Sequence, residues 1–119
     1  MTWTVIFHEA FDAEFVKLPR DVQTALLAKA GLLEEFGFRL GRPHVDTLKD
    51  SKHANMKELR FEAADGVWRA AFAFDPNQQA VILVAADKSG GNEKQRFYRS
   101  LIATADMRFD DHLARQKEA

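Results

Sequence analysis

The chain has no cysteine among its 119 residues, which excludes disulfides and thiolate metal ligands. It has no apolar run near the roughly 18 residues a membrane span needs, and no basic segment followed by an apolar one at its N-terminus. A cytoplasmic chain with no membrane contact is expected. It also lacks a basic excess: 17 Lys+Arg stand against 18 Asp+Glu, for a net charge of −1. Proteins that hold nucleic acid through their overall field are strongly basic, so any such contact here must come from a local patch. The four histidines, His8, His44, His53 and His112, lie far apart with no ligand spacing, and no metal site is expected. Ser89-Gly90-Gly91 is not followed by Gly-Lys-Ser/Thr and is no phosphate loop; no cofactor is expected.

What is present is one domain spanning residues 1–119, large enough to bury about two-thirds of its unfolded surface. Its centre is Asn55–Gly91, which reads as three consecutive strands. Met56–Glu62 alternates, Ala63-Ala64-Asp65-Gly66 is a turn, and Val67–Phe74 is aromatic and small-apolar. Asp75-Pro76-Asn77-Gln78 is a second turn, and Ala80–Ala86 is a continuous apolar run. Short connections of this kind join antiparallel strands.

Alternation divides the side chains between two faces. Leu59, Phe61, Trp68, Phe72 and Phe74 fall on a face that demands a core. Glu58, Arg60, Glu62, Val67, Arg69, Ala71 and Ala73 fall on the other, a shallow surface of small residues carrying cations. Lys88 follows the third strand, and Lys57 falls with the aromatic set, where it must snorkel or sit at the strand's open end.

The flanks are helical, apart from a strand at Trp3–His8. Asp12 is placed to cap a short helix through Lys17, and Pro19 suits the first turn of a second helix. That helix carries Val22, Leu26, Ala30, Leu33 and Phe36 on one stripe and is closed by Gly37. The two form a hairpin whose stripe needs the aromatic sheet face. Met1–Phe38 holds three basic and six acidic residues, whereas Arg39–Phe74 holds seven and five. Phe38–Ala54 reads as a long irregular connection. Asn92 with Gln95 forms a capping box for a last helix, with Tyr98, Ile102, Ala105, Phe109 and Leu113 on one stripe and a frayed tail at Ala114–Ala119.

The ordered set Lys57-Glu58-Leu59-Arg60-Phe61, Gly66-x-Trp68-Arg69, Phe72-Ala73-Phe74-Asp75-Pro76, Asp87-Lys88-x-Gly90 and Phe97-Tyr98-x-x-Leu101-Ile102 resembles the RelE/HigB-like toxins of type II toxin–antitoxin modules, in their phage-derived branch. The resemblance runs from Trp3 to Leu113. It implies an α+β fold of the RelE/ParE type: an antiparallel sheet of about four strands, the N-terminal helical hairpin on one face, and a C-terminal helix. It further implies a metal-independent endoribonuclease that cuts mRNA on the ribosome and is neutralised by a cognate antitoxin with a helix-turn-helix domain. Matched position by position, it gives Lys57, Arg60, Arg69, Lys88 and Tyr98 as catalytic residues. Arginines suit the charge developing on phosphate, and a lysine among other cations can transfer protons near neutrality; acid and base are left open among Lys57, Lys88 and Tyr98. The same fold also serves ParE-like poisons of DNA gyrase that act by binding, and an inactive partner-binding remnant would share it too.

Overall fold

The computed structural model describes residues 2–89 and 93–118. Asn92, Gly90 and Gly91 lie outside them, and with them the expected capping box. Strands β3 (Met56–Ala63) and β4 (Gly66–Phe74) form the predicted hairpin, with Ala63 opposite Gly66. The two residues between them, Ala64 and Asp65, have φ of 51° and 60°. This is the mirror-image turn whose twist matches that of paired strands. β5 (Gln79–Asp87) returns antiparallel to β4.

The complete sheet has five strands in the order β1-β5-β4-β3-β2. Two features correct the expectation of about four antiparallel strands. β1 (Thr4–Phe7) runs parallel to β5, from Thr4 opposite Gln79 to Phe7 opposite Ile82. Parallel neighbours need a long crossover, and between β1 and β5 lie two helices and three strands. β2 (Val45–Thr47) lies inside the stretch expected to be irregular, pairing antiparallel with Leu59–Lys57. Three residues are too few to show a period.

Helix α1 (Glu9–Phe15) starts at His8, whose Nδ1 accepts from the Ala10 amide at 3.0 Å. The expected cap at Asp12 therefore falls inside the helix. Helix α2 (Arg20–Phe36) follows Pro19 and ends at Gly37 with φ of 59°. A side chain there would be strained, and its Cβ would sit 2.2 Å from the Trp3 indole. The α2 stripe Val22, Leu26, Ala30 and Leu33 is buried on Leu59, Phe61, Ala70, Phe72, Ala80 and Ile82. Burying each such large apolar side chain contributes about 1.5–3 kcal/mol. Trp68 and Phe74 are half-buried on the same layer.

Helix α3 (Lys94–Glu118) covers the other face. Leu101, Ile102, Ala105 and Phe109 pack on Met56, Ala71, Ala73, Val81 and Leu83. The helix runs past Leu113 through the tail expected to fray, because Arg115 pairs with Glu9 and Gln116 donates to Asp75. Between Ala71 and Phe72 the partners jump from Val84 to Ile82, leaving Leu83 unmatched. Its carbonyl accepts instead from Arg108 Nη1 at 2.8 Å.

Candidate functional site

Between β2, β3 and the first half of α3 lies a groove of about 1000 Å³. Its sheet side comes from register. Arg60 stands directly opposite Arg69 on β3 and β4, so both project from one face, and Glu58 opposite Ala71 projects beside them. Lys88 follows β5, and α3 supplies Lys94, Tyr98 and Arg99.

The two arginines are not equivalent. Arg69 is 5% exposed. Its Nε donates to the Tyr98 hydroxyl at 3.2 Å and lies 3.6 Å from Glu58 Oε1, while Nη1 donates to the Trp68 carbonyl at 2.9 Å. Arg60 has a side chain one-third exposed, lines the groove, and lies 3.5 Å from Asp46 Oδ2. Asp46 is already held by Arg42 at 2.8 Å. The Thr47 amide, with Arg42 and Arg60, keeps its carboxyl below the usual range.

Glu58 lines the groove, yet it is 4% exposed and its Oε1 has no hydrogen-bond donor among the described residues. Arg69, its diagonal neighbour across the strand pair, supplies a countercharge to that oxygen at 3.6 Å but no hydrogen bond, and a buried carboxylate oxygen without a donor is costly. Lys88 has its pKa lowered, first by burial and then by Arg69, Lys94 and Arg60, with Glu58 opposing. Its Nζ lies 5.8 Å from the centre of the Tyr98 ring, within cation–π reach. The Tyr98 hydroxyl is raised by burial, against the Arg69 hydrogen bond and with help from Glu58, so it stays protonated at neutral pH.

The structure thus brings together Arg60, Arg69, Lys88 and Tyr98 and leaves Lys57 apart. Lys57 stands opposite Phe72 and Thr47, on the α1–α2 side of the sheet. Its strand parity already said so. Lys94, Arg99 and Asp46 were not singled out from the sequence. Lys94 and Arg99 lie within one helical turn of Tyr98, which is the signal that could have found them; Asp46 needed β2. The isolated histidines also have partners: His8 with Asp111, His53 with Asp110 and His112 with Asp75, each at 2.8 Å.

Comparison with known proteins fits this geometry to a family. Residues 13–110 match the family model described as phage derived protein Gp49-like. The chain belongs to this family of RelE/HigB-like toxins. Among its relatives, the putative toxin HigB3 of Mycobacterium tuberculosis is 43% identical over 100 residues, covering 84% of either chain. The putative toxin HigB2 of the same organism is 42% identical over 98 residues, 82% of this Gp49-like chain and 48% of that protein. In fold it is similar to the toxin RelE of E. coli, an arginine double mutant solved in the free state. The TM-score is 0.59 at 14% identity, over 87% of this chain and 96% of that one. In the α+β fold of this chain the helical hairpin lies on one sheet face and the terminal helix on the other.

Proposed function

We propose that this chain is the toxin of a type II toxin–antitoxin module and an endoribonuclease acting on ribosome-bound mRNA. The observation that carries this is the buried Glu58 carboxylate, one oxygen without a donor, lining a groove beside Arg60 and Lys88. Such a group is a proton acceptor kept beside cations that suit a phosphate. In the proposed step the Glu58 carboxylate takes the proton of a ribose 2′-hydroxyl, whose oxygen forms a bond to the adjacent phosphorus. Arg60 holds the phosphate oxygens as charge develops on them. The bond to the 5′-oxygen breaks, and Lys88, an ammonium made more acidic by its surroundings, gives that oxygen a proton. The products are a 2′,3′-cyclic phosphate and a 5′-hydroxyl. Arg69 holds Tyr98 and Glu58 in place as a positioning residue; Tyr98, protonated and at the groove wall, steadies the phosphate by donation. Lys57 has no part in this scheme.

A cognate antitoxin with a helix-turn-helix domain is proposed as the partner. The acid excess of the helical hairpin and its exposed Val16 and Leu27 support a protein contact there and no RNA contact. The test is induced expression followed by mapping of mRNA ends. New 5′-hydroxyl ends within translated codons are expected. Growth arrest with intact mRNA and accumulating gyrase–DNA breaks would replace this reading with the ParE-like one.

A further inference from the structure

The groove has two walls that come from distant parts of the chain. One is the segment Asp46–Asp50; the other is α3 at Tyr98, Arg99, Ile102 and Ala103. Immediately after the first wall the chain is fastened to α3. Ser51 Oγ donates to Asp106 Oδ1 at 2.5 Å, and the Lys52 amide donates to Asp106 Oδ2 at 3.2 Å. His53 Nε2 lies 2.8 Å from Asp110 Oδ1, and Lys52 Nζ pairs with the other oxygen of Asp110. The His53 ring stands edge-on to Phe109, with centroids 4.9 Å apart. Ile102, Asp106 and Asp110 are spaced four apart and so lie on one stripe of α3, which runs from the groove wall directly into this fastening.

We infer that Asp106 and Asp110 are positioning residues that set the width of the groove by tying the 51–53 turn to α3. The inference rests on the RNA-cleaving reading of the same groove. The fastening is built from part-exposed charges, the Lys52 side chain being 60% and that of Asp110 43% exposed. Pairs of that kind contribute little to stability. Their geometric consequence is larger, because together with Leu48, buried in the core it shares with Ile102 and Phe109, they hold the 46–50 wall beside α3, and a groove of another width loses contacts that bind the strand equally before and during reaction.

The molecule supplies its own control. Asp111, one residue further, points to another side of the helix and pairs with His8 of the α1 cap and with Arg115. It is the same kind of histidine–carboxylate pair on the same helical turn, but it does not tie the groove wall. Asp106→Ala, Asp110→Ala and Asp111→Ala would be compared on the ribosome-bound mRNA that the wild-type chain cleaves, with thermal melts alongside. A 2′-O-methyl version of that mRNA, which cannot be cut, measures binding alone. Asp106→Ala and Asp110→Ala are expected to raise KM and the dissociation constant about tenfold, the loss of uniform binding, with kcat within about twofold of the wild-type chain. Asp111→Ala should leave both constants unchanged despite a similar shift in Tm. Lys52→Ala combined with Asp110→Ala should cost no more than the larger single change. Equal KM values in all three aspartate variants would overturn the inference, as would a fall in kcat at constant KM. If the wild-type chain cuts no ribosome-bound mRNA, the RNA reading itself falls and the inference with it.

Discussion

Replacing Arg69 with alanine should damage the fold before it damages chemistry. The guanidinium is 5% exposed and Glu58 beside it is 4% exposed. Glu58 already has one oxygen without a donor. Removing Arg69 takes away the cation 3.6 Å from that oxygen and the hydrogen bond to Tyr98, leaving a buried carboxylate without its buried partner and with only the groove cations Arg60 and Lys88 beside it. Breaking a buried pair from one side costs about 3–5 kcal/mol, against a total of about 5–15 kcal/mol for a domain. For a chain of this size that is a fall in Tm of roughly 10–25 °C. Replacing both partners together, Glu58→Leu with Arg69→Met, removes the uncompensated charge and should recover most of the loss, because apolar replacements of buried pairs are near neutral. It should remain inactive. Circular-dichroism melts of the two variants and the wild-type chain, with growth after induction, make the comparison. An Arg69→Ala chain melting within about 3 °C of wild type would refute the burial argument, and a double variant that still arrests growth would remove Glu58 and Arg69 from the function.

Arg60→Ala should behave in the opposite way. Its pairing with the already occupied Asp46 is worth less than about 1 kcal/mol, while losing a phosphate-holding arginine costs about 10²–10³ in rate; soluble, folded protein that no longer arrests growth is the expected result, and arrest at wild-type strength would contradict it. Acid should loosen the far end of α3 only below the ordinary carboxylate range. Burial opposes ionisation of Asp75, but donors from His112, Gln79 and Gln116 outweigh it, and Asp110 and Asp111 are lowered chiefly by hydrogen bonds from Lys52 and His8. Depressed carboxyls contribute stability that is full above their unfolded value of about 3.9 and lost as pH falls through the lower folded value. Melts from pH 7 to pH 2.5 should show these pairs failing below about pH 4, with Asp75→Asn flattening the drop; an unchanged acid limb in Asp75→Asn would count against them. Free RNA should bind weakly, with a log–log salt slope of only about −2 to −4, and a titration showing tight, steep binding would mean a larger phosphate track than the groove provides.

The sheet's two faces were legible because alternation is a strong signal over eight or nine residues. That pattern separated Arg60 and Arg69 from the aromatic layer and put Lys57 with the aromatic set, although the resemblance counted Lys57 among the catalytic residues. β2 was not legible, since three residues carry no period and its pairing with Leu59–Lys57 is a tertiary fact. The parallel contact of β1 with β5 was hidden for the same reason: a strand's composition does not name its neighbour. Capping at His8 went unread because histidine is an uncommon cap, and Asp12 offered a commoner one. Glu58 looked like one of two acids flanking Arg60. Only its burial against Arg69, with one oxygen that has no donor, distinguishes it from Glu62, which is exposed.

The charge of the groove explains how a chain with no net basic field could still act on RNA. Lys49, Arg60, Lys88, Lys94 and Arg99 line it, but so do Asp46, Asp50, Glu58 and Glu93. Five cations against four carboxylates make a poor trap for an arbitrary phosphate chain, because any misplaced phosphate meets an acid. A strand held in one register, with a phosphate at Arg60 and Lys88 and its 2′-hydroxyl at Glu58, meets each charge with its complement. On the proposed ribonuclease reading, interleaved charge would lower affinity for loose RNA and leave affinity for a positioned strand. Such a site needs something else to present the strand, which is what a ribosome holding a codon does. The acidic hairpin on the opposite face reinforces this, since it repels RNA from the wrong side of the sheet. Neutralising Asp50 and Glu93 together should then tighten binding to naked RNA while leaving cleavage of ribosome-bound message nearly unchanged. Filter binding and end-mapping measure the two separately, and a double variant that binds naked RNA no better than the wild-type chain would show that the carboxylates do not act as a filter.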